Sequence, residues 1–150
     1  MTRSLRISVV LVLVVASFGL FARSAPAADG PSGKVFELRI YFASPGKLDA
    51  LNARFRDHTL TLFKKHGIEV VGFWVPAAAA ESKQSPAYGK ETLLYFVAFP
   101  SVEAQKKAWD AFKSDPEWKK VKAESEKDGI PLAAKVISQN FTATDYSLIK

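Results

Sequence analysis

The 150-residue chain has no cysteine, one methionine and two histidines, His58 and His66. Without cysteine there is no disulfide, no thiolate nucleophile and no thiolate metal ligand. The sequence also lacks a glycine-rich phosphate loop, an HExxH pair and a serine nucleophile elbow. Nucleotide, zinc-peptidase and serine-hydrolase chemistry therefore have no motif to rest on. Lys and Arg are spread out rather than gathered in a stripe, which argues against a nucleic-acid interface. No dense cluster of metal ligands appears, so no metal site is assigned.

Long apolar runs are scarce as well. The one candidate, Ile7 to Phe21, is shorter than the roughly 20 residues of a membrane-spanning helix. Arg3 and Arg6 precede it, and the small-residue stretch Ala22–Gly30 follows. That is the order of a secretory signal peptide, with Ala25 and Ala27 meeting the A-x-A preference. The expected cut after Ala27 assigns residues 1–27 to a signal peptide and the protein to a secreted or periplasmic compartment. No cysteine follows the run, so a lipoprotein anchor is excluded. Cleavage would leave 123 residues, enough for one domain and one core. Losing Arg3, Arg6 and Arg23 takes Lys plus Arg from 21 to 18 against 15 acids, so +6 becomes about +3.

Residues 28–34 read as a flexible Pro/Gly/Ser leader, and 35–150 as the domain. VFELRIYF alternates, with Phe36, Leu38, Ile40 and Phe42 on one side and Glu37, Arg39 and Tyr41 on the other. Period two predicts a strand. Ser44 and Pro45 suit a helix start, and Leu48, Leu51, Phe55, His58 and Leu62 then recur at helical spacing up to a stop at Gly67. Ile68–Val75 and Glu91–Phe99 read as strands, separated by a loop. The second of these is apolar on both faces, which predicts a central strand. A helix with Ala104, Ala108, Trp109 and Phe112 on one face follows Ser101. A shorter one, with Trp118 and Val121 inward, starts at the Asp115-Pro116 cap pair. AKVISQNF supplies a fourth strand.

The predicted order is β-α-β-β-α-β, an α+β, ferredoxin-like arrangement: a four-stranded antiparallel sheet with helices on one face. The apolar content of both sheet faces exceeds what one layer of helices can cover. A second copy packed sheet against sheet is the expected solution, so the chain is expected to be a homodimer. Glu37, Arg39 and Tyr41 are then expected at that interface or in the barrel interior.

Several segments resemble the NIPSNAP family. They are VFELRIYFASPGKLDAL, HGIEVVGFWVP, ETLLYFVAFPSVEAQKKAWDAFKSDPEW and TDYSLIK, which together span nearly all of residues 35–150. The most specific element is the apolar strand, Pro-Ser turn and Ala-rich helix, ending in Asp115-Pro116-Glu117-Trp118. The resemblance implies a dimeric α+β barrel of undefined biochemical role. Fold-level kinship with antibiotic-biosynthesis-type monooxygenases and haem-degrading enzymes is analogy alone.

His58 is the candidate catalytic residue, because its place in the helical stripe aims it between helix and sheet. There a neutral imidazole serves as a base or a haem ligand; the plainer role is a half-buried histidine bonded to a neighbour. His66 is explained by the helix dipole. Arg39, Tyr41, Phe73, Trp74, Tyr95 and Trp109 are the candidate ligand pocket, although aromatic residues at such spacing more often form core. The expected function is binding of a small apolar or aromatic ligand or of a protein partner. The alternative is a small monooxygenase or haem-handling enzyme using His58, and a third reading is an interaction module using the Ala77–Lys90 loop. Neither a nucleic acid nor a stable membrane span after cleavage is expected.

Overall fold

The computed structural model describes residues 33–77 and 89–150. The expected signal peptide, most of the leader and most of the Ala77–Lys90 loop lie outside those residues.

The chain folds as β1 (Val35–Ala43), α1 (Leu48–Arg54), a π-helical turn (Phe55–Thr59) and α2 (Leu60–Lys65). β2 (Glu69–Trp74), β3 (Thr92–Phe99), α3 (Val102–Ser114), α4 (Pro116–Ser125) and β4 (Ala133–Thr142) complete it. The strands form one sheet in the order β2-β3-β1-β4, with every neighbouring pair antiparallel. This is the expected ferredoxin-like arrangement. β3, apolar on both faces, pairs with β1 on one side and β2 on the other.

Local chemistry sets most boundaries. The Ser101 hydroxyl accepts the Ala104 N–H at 3.1 Å, and an Asp115 carboxylate oxygen accepts that of Glu117 at 2.7 Å, with Pro116 in the first turn. Gly67, at φ +70°, ends α2 in the left-handed conformation that glycine adopts without strain. The first helix begins later than expected. Ser44 does not cap it; its hydroxyl donates to the Pro131 carbonyl at 2.6 Å, and Lys47 holds the N-cap without a side-chain bond. Gly46, also at φ +70°, makes the intervening turn.

The larger departure lies inside that helix. An α-helix would carry Phe55, His58 and Leu62 along one face. The π-helical turn instead adds one residue per turn over Phe55–Thr59 and rotates the stripe. Leu51, Phe55, Thr59, Leu62 and Phe63 are buried, whereas His58 is exposed.

The core fills the space between the helices and one sheet face. Leu51, Phe55, Leu62 and Phe63 meet Leu93, Tyr95, Val97 and Phe99 of β3, and Trp109 and Phe112 of α3. Each such apolar side chain contributes roughly 1.5–3 kcal/mol when fully buried. Their rings meet edge-on, as in Phe63 with Trp109 at 5.5 Å and Phe63 with Phe112 at 5.1 Å.

The opposite face has an unusual character. Glu37 bonds to Gln105 and Trp109 of α3, so the odd-numbered residues of β1 lie beneath the helices. Strand alternation then sends Phe36, Leu38, Ile40 and Phe42 to the face that no helix among the described residues covers. Their cross-strand partners there include Leu94, Phe96 and Ala98 of β3 and Ile137 and Phe141 of β4. Trp74 joins Phe96 on that side at 6.2 Å between ring centroids. Trp74 is 50% exposed and Phe141 40%. Antiparallel sheets covered on one side usually carry polar residues on the other. Here the polar residues of β1 are the covered ones, which corrects the expectation that Glu37, Arg39 and Tyr41 face a second sheet.

Candidate functional site

β1 delivers Glu37, Arg39 and Tyr41 in succession to the layer between sheet and helices. Glu37 is buried, and its carboxylate accepts from four donors. They are Arg39 Nη1 at 2.8 Å, Gln105 Nε2 at 2.6 Å, Trp109 Nε1 at 2.5 Å and the Ser138 hydroxyl. A carboxylate has about four lone-pair sites, so Glu37 is saturated. Burial raises its pKa, but the bonds from Ser138, Trp109 and Gln105 and the Arg39 charge outweigh it, and the group sits below the ordinary value. Saturated and acidic, Glu37 is no general base. It is an anchor.

What it anchors is Arg39. The guanidinium stacks over the Trp109 ring at 4.6 Å and donates from Nη2 to the Tyr41 hydroxyl at 3.4 Å. Burial works against the Arg39 cation, but the Tyr95 and Tyr41 oxygens and the Glu37 carboxylate outweigh it and raise its pKa. Its Nε is buried without a partner among the described residues. Gln105 and Asn140 exchange reciprocal amide bonds at 2.7 and 2.9 Å and tie α3 to the edge strand β4.

Tyr41 and Tyr95 form the chemically open part. Tyr95 is fully buried, and its hydroxyl lies 3.3 Å from that of Tyr41. Burial is the main reason its pKa is raised well above the ordinary value, so it remains a neutral donor. A buried hydroxyl proton must be satisfied. Tyr95 therefore donates to Tyr41. The Tyr41 oxygen then accepts from both Tyr95 and Arg39, and its own proton has no acceptor among the described residues.

Tyr41 lines a cleft of about 200 Å³ between the helices and the β1–β4 half of the sheet. Phe55, Phe63, Phe112 and Trp118 give it aromatic walls, and Val136 lines the β4 side. Arg54 lines it too, where the π-helical turn begins. It bonds to Glu126 at 2.8 Å and Ser125 at 3.2 Å, lies 5.3 Å over Trp118, and leaves its buried Nε unpartnered among the described residues. π-helical turns occur frequently at functional sites.

Of the six pocket residues expected from the sequence, Tyr41 alone lines this cleft. Arg39, Tyr95 and Trp109 stand immediately behind it, through the contacts just given. Phe73 stacks on Tyr95 at 4.9 Å within the core. Trp74 is misplaced by the expectation: a bulge between Val70 and Gly72 leaves it on the opposite sheet face. His58 is misplaced as well. It lines a groove of about 510 Å³ between α1 and α4, with Asp57, Glu117 and Glu124, outside the helix–sheet cleft. His66 is held by Asp115, Nε2 to Oδ2 at 2.6 Å. Neither histidine is available to a haem inside the cleft. Among the described residues no three metal-binding side chains converge, and no helix is long and apolar enough to cross a membrane.

Arg54, Gln105, Ser138 and Asn140 escaped sequence reasoning. Gln105 and Arg54 sit one position away from apolar stripe residues, and a polar side chain there gives no periodic signal.

Solved structures from Agrobacterium and Burkholderia are among those with the same fold. A NIPSNAP family protein of unknown function from Agrobacterium tumefaciens aligns with TM-score 0.64 and 17% identity, covering 81% of this chain and 97% of its own. A NIPSNAP-like domain protein from Burkholderia xenovorans aligns with TM-score 0.63 and 13% identity, covering 77% and 90%. At such identities the likeness speaks for the fold alone. No curated protein sequence matches the chain. The NIPSNAP family model matches residues 36–137, which include Glu37 with its partners Arg39, Gln105 and Trp109, and every residue that lines the cleft. The chain belongs to the NIPSNAP family.

Proposed function

We propose that the protein is an exported homodimer, closed sheet against sheet into an α+β barrel, that binds one small aromatic molecule in each helix–sheet cleft. One observation carries the binding role: the Tyr41 proton, left without an acceptor by the Tyr95 and Arg39 bonds, at the edge of an aromatic-walled cleft. A ligand oxygen supplies the missing acceptor, and Phe63, Phe112 and Trp118 supply the apolar contact. The cleft is smaller than the ~300–1,000 Å³ of drug-sized pockets and nearer the ~150 Å³ that accommodates benzene. A single ring is the right size.

The second copy is supported by the open sheet face, which carries Leu38, Phe42, Leu94, Phe96, Trp74, Ile137 and Phe141, with Lys135 and Gln139 of β4 beside them. Export rests on the signal-peptide pattern of residues 1–27. The haem-handling or monooxygenase alternative through His58 loses its support with His58 outside the cleft.

The binding role is tested by titrating the protein with a panel of single-ring aromatic compounds, neutral and charged, while following the Trp118 indole N–H signal by NMR. The expected result is a saturable shift that Val136→Trp abolishes by filling the cleft from an exposed strand position. No saturable shift with any member would remove the proposal.

A further inference from the structure

The charges around the cleft go further than its shape. Its lining contains two cations, Arg54 and Lys122, and one carboxylate, Glu126. Glu126 divides itself between them, accepting from Arg54 at 2.8 Å and Lys122 at 2.6 Å, and it also lies 3.4 Å from the Leu132 N–H. Burial opposes its ionisation, yet the Lys122 and Arg54 bonds hold its pKa below the ordinary value, so it is a carboxylate at neutral pH. One carboxylate between two cationic side chains leaves one positive charge uncompensated. Arg39 adds none to this sum, because Glu37 pairs with it.

The unused donors agree. Arg54 is buried, and its Nε–H has no partner among the described residues. An unpaired donor of this kind is costly unless something accepts from it. The Tyr41 proton is a second donor in the same cleft. Glu126, the one carboxylate in the lining, already accepts from Arg54, Lys122 and the Leu132 N–H. A cleft with two unpaired donors and one excess positive charge discriminates by charge as well as by shape.

We infer that the ligand is a single-ring aromatic monoanion, of the carboxylate or phenolate class, with its anionic oxygen received by Tyr41 and Arg54 and its ring against Phe63, Phe112 and Trp118. The inference rests on the binding role proposed above and names its ligand class. Lys122 is the specificity residue: exposed at the rim, it shares Glu126 with Arg54, so the two cations keep one charge in excess.

The test compares benzoate with benzyl alcohol, which keeps the ring and an oxygen but carries no charge, by calorimetric titration of the protein at neutral pH. A charge-assisted hydrogen bond strengthens binding enough for benzoate to bind about tenfold tighter or more. In Lys122→Gln, Glu126 neutralises Arg54 and the benzoate-to-benzyl-alcohol preference falls to about one. Thermal unfolding of the variant checks that it remains folded, as an exposed position should. Equal affinity for the two compounds in the unmodified protein would overturn the monoanion assignment while leaving the binding role standing. A preference that survives Lys122→Gln would overturn the role given to this charge cluster. Failure of both compounds to bind would overturn the monoanion assignment, and the panel titration above decides the binding role.

Discussion

The Thr59 hydroxyl donates to the Arg54 carbonyl oxygen at 3.1 Å, spanning the π-helical turn and holding Thr59 on the inward face. Thr59 reaches the core from that part of the helix, and His58 is left exposed. Thr59→Val keeps the shape and removes the bond, so it should cost about 1 kcal/mol. His58→Ala removes an exposed side chain and should change stability by no more than about 0.5 kcal/mol. Urea unfolding of the two variants measures both. A larger loss for His58→Ala than for Thr59→Val would mean that the helix is regular and His58 points inward.

Glu37 should be the most costly polar position to alter. Glu37→Gln keeps the size but leaves the Arg39 cation without its counter-charge and replaces an acceptor-only group with one that also donates. The expected loss is about 3 kcal/mol, the low end for a broken buried pair because Arg39 keeps some contact with water. The same urea experiment reads it, and near-neutral behaviour would show that the network is not a stabilising anchor.

Acid sensitivity should trace in part to Asp115. Bonds from Lys65 and His66 hold its pKa well below the ordinary carboxylate value, with the Glu117 N–H assisting. A group whose folded pKa is depressed contributes stability above its unfolded pKa, about 3.9 for Asp, and loses it as pH falls through the folded value. Asp115→Asn preserves a good N-cap and removes the charge. The stability difference between parent and variant should be full at neutral pH and shrink below about pH 4. A difference independent of pH across that range would contradict the ion-pair role.

The polar residues of β1 show how far the sequence could be read. Its alternation defines two faces but not which one the helices cover. Greasy residues ordinarily mark the covered face, and here Phe36, Leu38, Ile40 and Phe42 do not. Element order, strand pairing and most helix ends were legible, because Gly67, Ser101 and Asp115-Pro116 act through local chemistry. The π-helical turn and the β2 bulge were not. Each shifts the register by one residue, and each moved a candidate, His58 or Trp74, to a different face. The candidate site was partly visible through Tyr41, Arg39 and Tyr95. Arg54 became evident only when burial and its unpartnered Nε could be read together.

Trp74 should be an anchor of the contact between copies. It is half exposed and lies beside Phe96 and the groove formed with Phe141 and Ile149. Trp74→Asp places a charge in that apolar surface without disturbing the helix-side core. Truncating or charging such an anchor costs about 2 kcal/mol or more, over tenfold in the dimer dissociation constant. Dilution series by analytical ultracentrifugation would show it, and an unchanged constant would place the contact elsewhere.

The most direct test is sedimentation equilibrium of the protein lacking residues 1–27 at micromolar concentration. A molecular mass of twice the chain is the predicted result, with the open sheet face buried between copies. A folded species sedimenting at the mass of one chain would contradict the account.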